Sequence, residues 1–280
     1  MSAKAWRVAL VTGGGTGIGR GIALALARRG VAVALVGRRQ EPLTATAAEL
    51  RTLGQTALGI TADLSDPDAW PYVIEQVHSA WGPIDTLVHN AGVLAGGALL
   101  DQSTATVQAC VTTNFTAPLV LTRLLLPDLI AQRGRVVFVG STTSFVPLPY
   151  LALYGATKAG LHHFGAALRH ELTPLGIQLL IAYPPATATA MTAPMAARTE
   201  ADTGRQPTLA APEQIGETIV RALAQGKREV VWWGGEHLLR ICYRLAPQLM
   251  ERLLFAQRRR FQAMVGSGAG ATIGAGDGTL

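Results

Sequence analysis

In the stretch from Tyr150 to Phe164, Tyr154 and Lys158 stand four positions apart, in a chain that has only three lysines. On a helix that spacing puts a phenol and an ammonium one turn apart on the same face. A free tyrosine, with a pKa of ~10, is a poor acid or base near neutrality. A neighbouring cation favours the phenolate. A depression of about three pKa units corresponds to ~4 kcal/mol of preferential phenolate stabilisation. The expectation is a phenol tuned for proton transfer. Tyr150 has the same spacing to Tyr154, but position 146 holds Val and not a cation. It reads as helix packing or as a wall of a substrate cleft. Ser141, Thr142, Thr143 and Ser144 form a run of hydroxyls ahead of this pair. Alone, such a run is a turn or a cap.

These side chains need a scaffold, and the apolar pattern supplies one. Short runs rich in Val, Ile and Leu at Arg7–Val11, Val31–Val36, Thr56–Ile60, Ile84–His89, Arg135–Val139, Gln178–Ala182 and Glu229–Trp233 read as strands. Helical patterns lie at Gly17–Arg29, Pro42–Leu53 and Pro67–Trp81, and near 100–131 and 154–173. Almost continuously apolar strands alternating with helices predict an α/β fold. It has one Rossmann-like, doubly wound parallel sheet of about seven strands with helices on both faces. Ser141 then closes the fifth strand at the sheet's carboxyl edge, where open α/β sheets bind ligands. Residues 1–234 read as one unit, in which 186–211 is a segment rich in Ala, Thr, Met and Pro. Residues 235–265 read as an amphipathic helical extension of the same domain, and 266–280 as a flexible Gly-rich tail.

Between the first strand and first helix lies Thr12-Gly-Gly-Gly-Thr-Gly-Ile-Gly19. Glycines allow a tight turn and a close approach to a pyrophosphate, whose charge the following helix N-terminus favours. The register is G-x-x-x-G-x-G through Gly13, Gly17 and Gly19, not G-x-G-x-x-G. The second strand ends Val36-Gly-Arg-Arg39, without the carboxylate that would bond a ribose 2′-hydroxyl. Arg pairs with phosphate through a planar fork of donors. Arg38 first and Arg39 second therefore favour NADP over NAD; the bland alternative is a solvated pair at a helix start.

Hydrophobic residues make up 49% of the 280 and charged residues 15%, enough for a sizeable core and inconsistent with general disorder. Cys110 and Cys242 match no metal or redox spacing and read as reduced thiols of a cytoplasmic protein. No metal site is expected. No run approaches ~18 consecutive apolar residues. The net charge is +6, but the excess sits mostly between Arg228 and Gln262, with no basic motif studded with aromatics, so nucleic-acid binding is not expected. Serine hydrolysis is disfavoured because Ser141 has no G-x-S-x-G context. His162 and His163, on the helix of the tyrosine, suit packing or a subunit interface.

Thr12-Gly-x-x-x-Gly-x-Gly19, Asn90-Ala-Gly92, Asn114, Ser141 and Tyr154-x-x-x-Lys158 together resemble the short-chain dehydrogenase/reductase family, over roughly residues 6–233. Tyr154-Gly-Ala-Thr-Lys158, with Pro184-Pro185, is more like the family's general bacterial oxidoreductases than its steroid-specific members. The resemblance implies an NADP-dependent ketoreductase or alcohol dehydrogenase, with 1–234 as its dinucleotide-binding catalytic domain and 186–211 as its substrate loop. Tyr154 is the acid/base, Ser141 holds the substrate oxygen, and Lys158 tunes the phenol and holds the nicotinamide ribose. Asn114 interrupts a helix and anchors a water relay. It also implies dinucleotide contacts from Gly13, Thr16, Gly17, Ile18 and Gly19. Asp63 and Leu64 would lie at the adenine, and Asn90, Ala91 and Gly92 along the adenosine. Pro184, Thr187 and Thr189 would lie at the nicotinamide. The family commonly has Pro-Gly where this chain has Pro184-Pro185, and a second proline removes a donor and fixes φ.

Leu94, Thr143, Phe145, Tyr150 and Met191 are the expected substrate pocket, suited to a small hydrophobic carbonyl or alcohol. A homodimer or homotetramer is the family expectation. Two matters stay open. The fold could serve a non-enzymatic NADP sensor or scaffold that engages a partner through the C-terminal helices. The apolar stripe and arginines of 236–262 could lie on a membrane surface, on the cleft, or on another subunit.

Overall fold

The computed structural model describes residues 6–232 and 234–266. Trp233, at the end of the last expected strand, and residues 267–280 of the Gly-rich tail lie outside the described residues. Seven strands form one parallel sheet: β1 (Val8–Thr12), β2 (Ala32–Gly37), β3 (Ala57–Thr61), β4 (Thr86–His89), β5 (Arg135–Val139), β6 (Gln178–Tyr183) and β7 (Glu229–Val231). Their order is β3-β2-β1-β4-β5-β6-β7, every pairing parallel. The order reverses between β1 and β4, and a crevice opens beyond the carboxyl ends at that switch point.

The strands are apolar almost throughout because both faces are covered. On one face α1 (Gly17–Ala27), α2 (Gln40–Thr52) and α8 (Pro212–Ala224) bury Ile22, Leu26, Leu43, Leu50, Ile215, Ile219 and Leu223. On the other, α3 (Ala69–Trp81), α5 (Ala117–Gln132) and α6 (Ala152–Leu172) bury Val73, Val77, Leu121, Leu125, Leu161 and Leu172 around Phe138. Each such fully buried side chain contributes about 1.5–3 kcal/mol relative to exposure. α1 and α8 approach at Gly21 and Gly216, where a Cβ on either would run into the other helix's backbone.

α4 (Thr104–Val111) and α5 are one rod widened by a π-turn at Thr112–Thr116. Thr104–Gln132 is long and apolar enough to cross a bilayer by length and composition. Here its inner face packs on the sheet, and the π-turn carries Asn114 into the interior. The expected substrate loop contains a helix, α7 (Ala193–Thr203), and the chain ends in α9 (Gly235–Leu245), α10 (Pro247–Ala256) and α11 (Arg258–Val265).

Candidate active site

The glycine loop joins β1 to α1 in the switch-point crevice. Gly13 (φ +64°) and Gly17 (φ +55°) adopt left-handed backbone, which glycine alone takes freely. A Cβ at Gly19 would strike the Gly13 carbonyl and the Asn90 amide, so this glycine lets α1 start tight against the loop. Thr12 ties the loop to the neighbouring strand. Its Oγ1 accepts from Asn90 N and Ala91 N, both at 3.0 Å, and donates to the Val88 carbonyl at 3.2 Å. The Asn90 amide donates to the Thr12 and Gly13 carbonyls at 3.0 and 3.2 Å. Asn90 therefore braces the loop from below while it also lines the larger cavity. Thr12 was not among the expected site residues; its place as the last β1 residue, directly before the first glycine, is the signal for it.

Two cavities share Gly13, Thr16, Ala91 and Gly92 and form one groove along the carboxyl edge. The smaller, about 160 Å³, is lined by Gly15, Gly37, Arg38, Arg39, Asp63 and Leu64 among others. Arg38 and Arg39 are exposed and make no hydrogen bond or ion pair with a described residue, so two free guanidiniums stand at this end. The Asp63 carboxylate accepts from Ser65 N and Oγ at 2.9 and 2.8 Å, a turn that leaves it at the groove wall. The larger cavity, about 330 Å³, joins Gly17 and Ile18 to Ser141, Tyr154, Lys158, Pro184, Thr187 and Thr189. The left-handed glycines, the α1 N-terminus and the free arginine pair fit a phosphorylated dinucleotide laid along the groove.

α6 presents Tyr154 and Lys158 on one face, beside the end of β5. Lys158 is buried. Its Nζ donates to the Val139 carbonyl at 2.9 Å and lies 5.8 Å from the centre of the Tyr154 ring. Ser141 begins a short 3₁₀ turn, Thr142–Ser144, its Oγ accepting from Thr143 N at 3.2 Å. The Ser141 hydroxyl and the Tyr154 phenol line the same cavity. Ser144 Oγ donates to the Lys158 carbonyl at 3.1 Å, fixing the serine turn to α6. Asn114 is fully buried beneath: Oδ1 accepts from Val93 N at 2.7 Å, and Nδ2 donates to Val93 O and Thr157 Oγ1 at 2.9 and 3.1 Å. It borders Gly92, whose Cβ would stand 3.3 Å from Asn114 Oδ1 and 3.7 Å from Lys158 Nζ.

The electrostatics correct one expectation. Burial, the largest effect, pushes Tyr154 up to about 12, while the Ser141 hydrogen bond pulls it down. Burial also pulls Lys158 down to about 8. Desolvation disfavours both charged forms, so in the protein alone the phenol is raised and not depressed. Tyr154 keeps part of its surface open to the cleft, which limits this penalty without reversing its direction.

Leu94, Thr143 and Met191 line the larger cavity as expected, as does Pro185 of the Pro-Pro turn, joined by Leu148, Leu151 and Met195, which the pattern did not single out. Phe145 and Tyr150 do not line it. The 3₁₀ turn aims Phe145 the other way, onto His162 (4.8 Å between ring centres), Tyr183 (4.6 Å) and the Arg240 guanidinium (3.7 Å). His162 bonds the Tyr183 hydroxyl at 2.6 Å, a packing role. Tyr150 has a left-handed backbone (φ +62°), and its hydroxyl donates to Gln262 Oε1 on α11 at 3.0 Å. Arg198, on α7, donates to the Val265 carbonyl at 2.6 Å and so joins α7 to α11. Among the described residues, no group of three or more His, Cys, Asp or Glu is placed to hold a metal ion.

A family model described as short chain dehydrogenase matches residues 7–200. A ketoacyl reductase from Nostoc is 30% identical over 82% of this chain and 80% of its own length. Bovine dehydrogenase/reductase SDR family member 7B is 29% identical over 90% and 82%. A Burkholderia cenocepacia short chain dehydrogenase in complex with NADP superposes with a TM-score of 0.74 at 30% identity, over 84% of this chain and 99% of that one. A Sphingobium yanoikuyae short-chain dehydrogenase in complex with NADPH gives 0.71 at 26%, over 90% and 95%. With the glycine loop, the Ser–Tyr–Lys wall and the seven-stranded sheet all in one groove, the chain belongs to the short chain dehydrogenase family.

Proposed function

We propose that the protein is an NADP-dependent oxidoreductase that interconverts a hydrophobic ketone and its alcohol. The observation that carries this reading is the continuous groove from the free Arg38–Arg39 pair, past the glycine loop, to Ser141, Tyr154 and Lys158. Gly13, Thr16, Gly17 and Ile18 would hold the pyrophosphate, Arg38 and Arg39 the 2′-phosphate, and Asp63 and Leu64 the adenine. Asn90, Ala91 and Gly92 would lie along the adenosine, with Pro184, Thr187 and Thr189 at the nicotinamide. A bound nicotinamide dinucleotide supplies or accepts hydride at this end of the groove. The chain's own groups handle the proton. The Ser141 hydroxyl donates to the substrate oxygen and orients it. The Tyr154 hydroxyl gives its proton to that oxygen in reduction and takes it back in oxidation. Lys158 holds the ribose and faces the phenol. Asn114 fixes the backbone at Val93, beside the lysine.

The apolar wall of Leu94, Leu148, Leu151, Met191 and Met195 supports a hydrophobic substrate. The Nostoc relative, named for ketoacyl reduction, supports a ketone. The reading includes a homodimer or homotetramer acting in the cytoplasm. Tyr154→Phe tests it: NADPH binding, followed by nicotinamide fluorescence, stays nearly intact while NADPH consumption with ketones falls by about a thousandfold or more. Unchanged turnover in that variant rejects the assignment.

A further inference from the structure

The reaction does not use the outer surface of the C-terminal helices. α9 leaves Leu238, Ile241 and Leu245 exposed by 60%, 40% and 78%, and α10 leaves Leu249 and Leu253 exposed by 56% and 47%. Within each helix the spacings of three and four keep these side chains in one row. The inner surface is already engaged. Arg240 stacks on Phe145, Leu254 and Val265 are buried, and Arg198 and Tyr150 bond α11.

Charge accompanies this apolar row. Residues 235–265 hold six Arg and two Glu, a net of +4. Arg244, Arg252, Arg259 and Arg260 are exposed, and their guanidiniums make no hydrogen bond or ion pair with a described residue. A second copy of the chain is a poor cover, because an isologous contact brings two such +4 surfaces together. An anionic bilayer satisfies both properties, taking leucines at the acyl boundary and guanidiniums among the headgroups.

We propose that α9 and α10 dock the protein on an anionic lipid bilayer, with the row from Leu238 to Leu253 at the headgroup–acyl boundary. The end of the same helical strap, Val265, packs at Gly96 beside Leu151, a residue of the cleft wall. The exposed Leu99 and Leu100 follow Gly96 three and four positions later. Docking therefore sets the rim of an apolar cleft beside the medium that dissolves apolar ketones and alcohols.

The full chain is sedimented with vesicles of phosphatidylglycerol and phosphatidylcholine, and with phosphatidylcholine alone. It pellets with the anionic vesicles. Binding weakens about tenfold or more when NaCl rises from about 0.05 M to about 0.5 M. A Leu245→Asp, Leu249→Asp variant loses about tenfold or more in vesicle binding while keeping its melting temperature and its turnover of a short, water-soluble ketone. If that variant misfolds, Arg252→Gln, Arg259→Gln, Arg260→Gln takes its place and loses anionic-vesicle binding. Three results overturn the proposal: wild type left in the supernatant with anionic vesicles, variants that bind like wild type, or a lipid-free dimer that the leucine variant dissociates. Turnover of the soluble ketone reports on the reaction separately, so a failed vesicle assay leaves the enzymatic reading standing.

Discussion

Replacing Lys158 with Met keeps the length of the side chain and removes its charge. The ammonium lies 5.8 Å from the centre of the Tyr154 ring. At that separation and an effective dielectric constant of about 20, attraction to a phenolate is ~3 kcal/mol, about two decades of phenolate population. Because burial draws Lys158 down to about 8 and raises Tyr154 to about 12, the lysine charge helps the phenolate only below about pH 8 in the protein alone. In Lys158→Met the phenolate fraction at neutral pH falls about a hundredfold. A more basic phenolate recovers about half of that on a logarithmic scale, so kcat/KM for alcohol oxidation falls about tenfold. The loss is full below about pH 8 and shrinks toward pH 10, where the wild-type lysine is itself uncharged. The assay follows NADPH formation at saturating NADP and limiting alcohol from about pH 6 to about pH 10. A loss of the same size at about pH 6 and about pH 10 refutes the electrostatic reasoning and leaves the lysine with the ribose contact alone.

Stability responds to the same lysine. Its folded pKa of about 8 lies below its ordinary 10.5, so the unfolded chain binds more protons between these values and stability rises with pH through that window. Tyr154, raised in the fold, opposes this above about pH 10, where unfolded tyrosine ionises. Denaturant titrations from about pH 8 to about pH 10 show a gain in wild type that Lys158→Met lacks. Arg38→Ala with Arg39→Ala lowers kcat/KM for NADPH about tenfold to a hundredfold and leaves NADH within about threefold, read from paired initial rates. Thr12→Val strands two backbone N–H groups. It costs on the order of 3 kcal/mol, and calorimetry shows a melting temperature lower by about 6–12 °C.

The glycine loop and the tyrosine–lysine pair were legible because their geometry is local. Strand boundaries also followed from apolar runs, since both faces of the sheet are buried. α8 was not recognised, although Pro212 and Glu213 open it and Ile215, Ile219, Val220 and Leu223 keep helical spacing. Its partner is α1, nearly two hundred residues earlier, and Gly216 carries no apolar signal for that contact. Phe145 and Tyr150 failed for a related reason. Each has the right type at the right distance from Ser141 or Tyr154. A 3₁₀ turn and a left-handed residue, neither with a cue in the sequence, turn them toward Arg240 and Gln262.

Spacing alone also hid the sign of the electrostatics. Four residues on a helix place an ammonium beside a phenol, but the pattern cannot say how much water either keeps. Burial favours the neutral form of both, so the ion pair is the strained state and the uncharged pair the relaxed one. In that arrangement the phenol retains its proton until a charge in the groove changes the balance. In the proposed reaction a substrate oxygen gaining negative charge against Ser141 would draw the proton from Tyr154, and the Lys158 ammonium would then stabilise the phenolate left behind. Proton transfer would thus follow the arrival of charge in the cleft and be suppressed in its absence. A raised phenol suits an acid that must stay loaded until its substrate is in place.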